Sequence, residues 1–322
     1  MTKQQNPNDL WYLQSDAVRL GRQNRKERNQ YKDNAVNVGL ESIDDILLPL
    51  LYGELMTIIA RPGGGKTAWM LRWARERAKY LMEHDKDRIV IYASCEQTIE
   101  ELDNLGAAAE SGIPLDRMAR GEIDDHEWHV LDKADTMRGS MRIAWIGKSY
   151  ENRRKRPKIT AESIVNCIYD IEDKVGLKAD ICFVDYLQLM KPDGYVKNKQ
   201  ERVTDILEAS KDAALETCAW VMACQARREV DSQKIQIPGL DSGQWTSGIE
   251  QFSDKVVSLV RPSKYRKQGE KFGDVEVRGH CQMLFTLLKQ KLGKDNLARW
   301  VYFDPAYNKL HELESRYAIG DH

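Results

Sequence analysis

An apolar run, Leu55 to Ile59, leads straight into Ala60-Arg61-Pro62-Gly63-Gly64-Gly65-Lys66-Thr67. From Ala68 onward, Trp69, Met70, Trp73 and Ala74 then recur at helical spacing. Strand, glycine-rich loop and helix in that order restrict the chain to a small group of α/β folds. The glycines let backbone N–H groups curl round phosphates, Lys66 can reach the outer phosphates, and the Thr67 hydroxyl is placed to hold Mg²⁺. Arg61, Pro62, Gly63, Gly64, Gly65, Lys66, Thr67 and Ala68 are therefore the candidate nucleotide-binding stretch, with ATP and Mg²⁺ the expected cofactors. The general motif has glycine where Ala60 stands, so context identifies the loop rather than its strict pattern.

Further strands and helices alternate downstream. Arg88 to Ala93 reads as a strand ending in Ser94-Cys95-Glu96, and Thr98 as the start of a helix with Glu100 and Glu101 in its first turn. Residues 106 to 139 look helical, Met141 to Ile146 resembles a strand, and Thr160 opens a helix carrying Ile164, Val165, Ile168 and Ile171. Asp180 to Leu189 is the clearest buried strand. A helix from Arg202 to Glu216 follows, then a strand from Ala219 to Ala223, a helix from Ser247 to Asp254 and a strand from Lys255 to Leu259. A strand pair near 281 to 288 and 299 to 303 ends the map. Strands separated by helices predict an α/β fold with a mostly parallel sheet between helical layers. Ligands of such sheets sit beyond the carboxyl ends of the strands, where the phosphate loop, Glu96, Asp185 and Gln225 are all expected.

Those three side chains suit nucleotide hydrolysis. Asp185, closing Ile181-Cys182-Phe183-Val184, can hold Mg²⁺ through water opposite Thr67. A strand-ending Asp is also a common turn cap, and the phosphate loop favours the metal role. Glu96 is placed to take a proton from the attacking water, its bland alternative being a solvated first-turn carboxylate. Gln225 could sense the terminal phosphate or position water, and by spacing alone could equally be a surface residue.

Together these segments resemble the C-terminal motor domain of the DnaB-type hexameric replicative DNA helicases, a branch of the RecA-like P-loop ATPases. The resemblance rests on Gly53-Glu54-Leu55 through Thr67, Ser94-Cys95-Glu96, Val184-Asp185-Tyr186-Leu187-Gln188-Leu189-Met190, Cys224-Gln225-Ala226-Arg227-Arg228 and Ser247 to Asp254, and covers roughly residues 38 to 312. It implies a ring, usually a hexamer, with ATP between neighbours and single-stranded DNA in a central channel. Pore loops would fall between Asp193 and Gln200 and between Arg228 and Trp245, with Lys197, Lys199 and Lys234 as backbone contacts. The family offers a lysine and an arginine, two residues apart, to the neighbour's ATP; the corresponding residues here look like Lys289 and Lys291, with Arg261 an alternative finger. Lysine supplies charge without arginine's planar fork. The family also carries an N-terminal collar domain that recruits primase, for which this chain has only a short basic tail.

The domain reading is thus residues 1–36 as a basic N-terminal tail with a linker helix built on Trp11, Tyr12, Leu13, Val18 and Leu20, and 37–322 as the RecA-like ATPase/helicase domain. The expected function is an ATP-driven ring motor on single-stranded DNA, of 5′–3′ replicative type, with a primase, loader or other replication protein as partner. The alternatives are a non-processive DNA-dependent ATPase and a nucleotide-gated recruitment factor. Hydrophobic residues make up 42% and charged residues 31% of the 322 residues, as in globular proteins, and Lys plus Arg (49) nearly balance Asp plus Glu (50). That balance neither supports nor excludes nucleic acid; basic residues cluster at Arg19 to Lys32, Lys148 to Lys158 and Arg261 to Lys271, each alone more often a solvated surface, the three together favouring a polyanionic partner. The six cysteines lack zinc spacing and read as reduced thiols. With a polar N-terminus and no membrane-length apolar run, a cytoplasmic protein is expected.

Overall fold

Side-chain alternation along the central strands builds two cores back to back. The computed structural model describes residues 13–30, 36–151, 158–194, 198–227, 237–240, 246–272, 275–277 and 279–313. By internal contacts the chain divides into residues 1–35 and 36–322. The first unit contributes helix α1 (Gln14–Gln30), on which Asp16 pairs with Arg19 at 3.7 Å and Val18 and Leu20 are exposed. Trp11 and Tyr12 lie outside the described residues.

The second unit runs from a short helix α2 (Glu41–Asp44) through β1 (Leu55–Ala60), α3 (Lys66–His84), β2 (Arg88–Thr98), α4 (Ile99–Ser111), α5 (Leu115–Arg120), α6 (Asp125–Gly139) and β3 (Ile143–Lys148). It continues with α7 (Ala161–Val175), β4 (Lys178–Asp185), α8 (Lys199–Glu216), β5 (Ala219–Gln225), α9 (Thr246–Phe252) and β6 (Lys255–Val260). A two-stranded ribbon, β7 (Lys271–Phe272) and β8 (Val275–Glu276), precedes β9 (Gln282–Gln290), β10 (Leu297–Asp304) and β11 (Lys309–Glu312). Among the described residues nine strands form one sheet in the order β11-β10-β9-β6-β1-β5-β4-β2-β3, parallel from β6 to β3 and antiparallel from β9 outward. The mostly parallel α/β expectation holds.

Successive strand residues serve opposite faces. Met56, Ile58 and Ala60 of β1 join Tyr92, Phe183, Val221 and the Trp69–Trp73 face of α3 in one core. Leu55, Ile59, Ile91, Cys182, Val184 and Trp220 join α7 and α8 in the other. Caps set the helix starts: Thr98 accepts from Glu101 N while Glu101 accepts from Thr98 N, and Thr160 makes the same reciprocal arrangement with Ser163.

Several sequence boundaries shift, three of them at the carboxyl ends of strands. The expected strand from Asp180 to Leu189 stops at Asp185, and Leu187–Leu189 form a 3₁₀ turn. The apolar run continues because Leu187 and Met190 are buried under that turn, not because the strand does. β2 continues to Thr98, so Glu96 lies two residues inside the strand rather than at its end. Gln225 is the last residue of β5, and β11 is a strand that the sequence pattern does not predict. Four cysteines, Cys95, Cys182, Cys218 and Cys224, are buried, and all six are free.

Candidate functional site

Parallel pairing aligns the carboxyl ends of the strands. In register, Ala60 faces Gln225 across β1 and β5, and Ser94 faces Asp185 across β2 and β4. The glycine loop therefore leaves β1 beside the carboxylate that closes β4. A cleft of about 300 Å³ there is lined by Pro62, Gly63, Gly65, Lys66, Thr67, Ala68, Glu96, Asp185, Tyr186, Gln225, Arg261, Phe303 and Asn308.

The loop's turns depend on glycine at two points. Gly63 and Gly65 have φ of 66° and 96°, in the left-handed region. A Cβ at Gly65 would overlap the Met283 methyl, so the side-chain-free backbone lets β9 close over the helix start. Gly64 N donates to Arg61 O at 2.8 Å and closes the turn, and Trp69 N donates to Gly65 O at 2.9 Å to begin α3.

Thr67 Oγ1 donates to Asp185 Oδ2 at 2.6 Å, and Tyr92, reaching up from β2, donates to the same oxygen at 3.3 Å. Burial pushes the Asp185 carboxyl above its usual range, against the opposing pull of the Thr67 bond, the Lys66 charge and the Tyr92 bond. Lys66 is shifted down, first by burial, with Asp185, Cys224 and Glu96 pulling it back up. Its Nζ lies 3.4 Å from Ala60 O and 6.0 Å from the centre of the Tyr186 ring. Glu96 is raised, by desolvation and then by the Asp185 charge, with Lys66 opposing. The Lys66 ammonium beside a loop of backbone amides describes a site that suits a polyanion.

A metal ion fits this donor set only in company. One hydroxyl and one carboxylate meet at the mouth, and no group of three or more His, Cys, Asp or Glu side chains that could hold a metal exists among the described residues. Such a pair suits Mg²⁺ that takes its remaining oxygens from phosphates and water.

Several expected residues lie outside this cleft. Arg61 turns its guanidinium to Ala226 O at 3.0 Å, tying the loop to the end of β5, and neither Arg61 nor Gly64 lines the cleft. Lys289 and Lys291 lie at the opposite end of the sheet: the Lys289 ammonium donates to Ser253 O at 2.8 Å and to Glu250 O, and Lys291, 70% exposed, sits 3.6 Å from Asp254. They cannot reach the cleft of their own chain. Arg261, the alternative finger, is instead part of that cleft: its Nη1 donates to Gly63 O at 3.2 Å and its guanidinium lies 5.1 Å from the Phe303 ring centre. Lys197, Arg228 and Lys234 lie outside the described residues, as does the side chain of Lys199.

Sequence reasoning missed Tyr92, Gln188, Phe303 and Asn308. Gln188 clasps the end of β5, its amide accepting from Gln225 N at 3.2 Å and donating to Gln225 O at 3.1 Å, and so fixes Gln225 in the cleft. Its place three residues after Asp185 was the available signal. Phe303 and Asn308 come from the antiparallel edge, beyond the Lys289–Lys291 pair, and no local pattern marks them.

Sheet order, loop and the Thr67–Asp185 pair define a RecA-like P-loop fold. The family model described as "DnaB-like helicase C terminal domain" matches residues 35–312, and the chain belongs to that family. A replicative DNA helicase DnaB from Leifsonia xyli subsp. xyli is 29% identical over 257 residues, which cover 78% of this chain and 52% of that protein. The chain spans about half the length of the curated relatives it matches. Among solved structures, one described as an ATPase domain superposes with a TM-score of 0.77 at 20% identity, covering 95% of this chain and all of that one. A DnaB-like replicative helicase, studied with its interactions with primase, gives 0.74 at 21% identity over 87% of this chain and 63% of its own. These two likenesses concern the fold. Among the described residues no helix is long and apolar enough to cross a membrane.

Proposed function

We propose that the chain is the motor portion of a ring helicase, binding ATP with Mg²⁺ in this cleft and coupling its hydrolysis to 5′–3′ movement along single-stranded DNA. The convergence of Lys66, Thr67, Glu96, Asp185 and Gln225 at the carboxyl ends of parallel strands carries the reading. Loop amides and Lys66 would bind the phosphates, Thr67 and Asp185 would hold Mg²⁺, which supplies charge neutralisation, and Glu96 would accept a proton from the attacking water. Gln225, fixed by Gln188, would sense the terminal phosphate. Lys289 and Lys291, remote from their own cleft, would serve the cleft of a neighbour in a ring, a hexamer by the resemblance drawn above. Primase or a loader would be a further partner, and the cytoplasm the site of action.

Purified protein should hydrolyse ATP faster with single-stranded DNA, and Glu96→Gln should remove that stimulation while leaving ATP binding intact. Hydrolysis undiminished in the variant would take Glu96 out of the reaction. The base must be ionised to act, and its carboxyl is raised above the usual 4.5. The rate should therefore rise with pH through a midpoint above 4.5; an acid limb at or below that value would contradict the assignment. A slow, nucleotide-gated recruitment factor is the second reading, favoured by lysine at position 291 and by the carbonyl contacts that hold the Lys289 ammonium. Tight ATP binding without phosphate release would select it.

A further inference from the structure

The segment after β6 brings a second pair of cations onto the phosphate loop. Lys264 Nζ donates to Pro62 O at 3.1 Å, next to the Arg261 contact with Gly63 O at 3.2 Å. Gly63 makes the approach feasible, since a Cβ there would overlap the Lys264 ammonium. Both cations are shifted down, Lys264 by burial and by the Arg261 charge beside it, Arg261 by burial. The Arg261 Nε is buried without a hydrogen-bond partner. Among the described residues no carboxylate forms an ion pair with Lys264, whose charged neighbour is Arg261.

Two like charges resting on neutral carbonyls are matched better by an anion. A neutral carbonyl is a weaker acceptor for a cation than a phosphate oxygen, whose own negative charge adds a Coulombic attraction to the hydrogen bond. Pro62 and Gly63, the residues so held, line the cleft together with Lys66 and Glu96. Lys264 also lines a separate cavity of about 530 Å³ with Arg266, Lys267 and His280, so its side chain borders open space rather than the core.

We propose that Lys264, with Arg261 beside it, is a cation that the chain supplies to the terminal phosphate of a nucleoside triphosphate in its own cleft. On binding a triphosphate, Lys264 would exchange its Pro62 carbonyl contact for the phosphate. This deepens the nucleotide-binding reading above and rests on it. The role differs from that of Lys289 and Lys291, which face away from this cleft, and gives the chain its own discrimination between triphosphate and diphosphate.

The full chain would be titrated calorimetrically with a slowly hydrolysed ATP analogue and with ADP, each with Mg²⁺ at fixed ionic strength. Lys264→Gln should weaken the triphosphate roughly tenfold and ADP by less than about twofold, the size expected for one charged hydrogen bond. Lys264→Arg should recover most of the loss. Lys267→Gln, which removes a charge from the same segment, should leave both affinities unchanged. Equal losses for both nucleotides, no loss in Lys264→Gln, or the same loss in Lys267→Gln would overturn the proposal while the cleft itself stands. Failure of the unaltered chain to bind either nucleotide would instead remove the underlying reading and this role with it.

Discussion

Lys66→Ala should lower ATP affinity by roughly a hundredfold or more and leave the fold intact. Each hydrogen bond from a cation to a charged group contributes about 1.5 to 3 kcal/mol, and tenfold in affinity corresponds to about 1.4 kcal/mol. Lys66 can make more than one such bond, and its loss also leaves the Asp185 and Glu96 charges facing incoming phosphates. The folded state has little to lose. Burial disfavours the Lys66 charge, and its hydrogen bond to Ala60 O is long at 3.4 Å. Titration with ATP beside a thermal melt checks both halves. ATP affinity equal to that of the unaltered chain would defeat the assignment of the loop, and a collapsed melt would show that the side chain is structural.

The largest stability effect is expected at Asp180, far from any ligand. Arg77 of α3 donates to its carboxylate through Nε at 2.7 Å and Nη2 at 3.0 Å, with side chains only 4% and 3% exposed, and Arg88 approaches from β2 at 3.6 Å. Asp180→Ala would take from a buried guanidinium its bidentate carboxylate partner, and removing one partner of such a pair costs about 3 to 5 kcal/mol. Replacing both partners together, Arg77→Met with Asp180→Leu, should recover much of the loss, because the penalty lies in burying a charge without its counter-charge rather than in the missing bond. Urea unfolding of the single and double variants beside the starting protein separates these cases; a single variant as stable as the starting protein would show that water or another group already satisfies Arg77.

The legible part of this site is the part encoded within one turn of chain. Leu55 to Thr67 places strand, loop and cation in a single window, and a strand-ending Asp185 needs only its apolar predecessors. Glu96 is found, although its strand runs on to Thr98, because the polar residues after Cys95 look like a strand end and are in fact a less buried continuation past an irregular register with β3. Asp180 to Leu189 reads as one strand because burial, which periodicity detects, does not distinguish a strand from a turn folded beneath it. Strand order could not be read. The neighbours of β1 are β5 and β6, distant in sequence, so the convergence of Arg261, Lys264, Phe303 and Asn308 on the loop is a product of tertiary pairing. Such contacts leave no local spacing to recognise.

The cleft at one end of the sheet and the Lys289–Lys291 pair at the other make the domain's two ends unlike, separated by roughly 20 Å along a strand the length of β1. Copies meeting through those ends would join head to tail, each junction built from two different surfaces. The functional unit would then be the seam rather than the polypeptide. A closed set has as many seams as members, whereas an open row always has one fewer, with an idle cleft at one terminus and idle lysines at the other. A subunit with a damaged lysine pair would silence only its neighbour's cleft, so two different defective chains, mixed, could assemble one sound seam between them that neither can form alone.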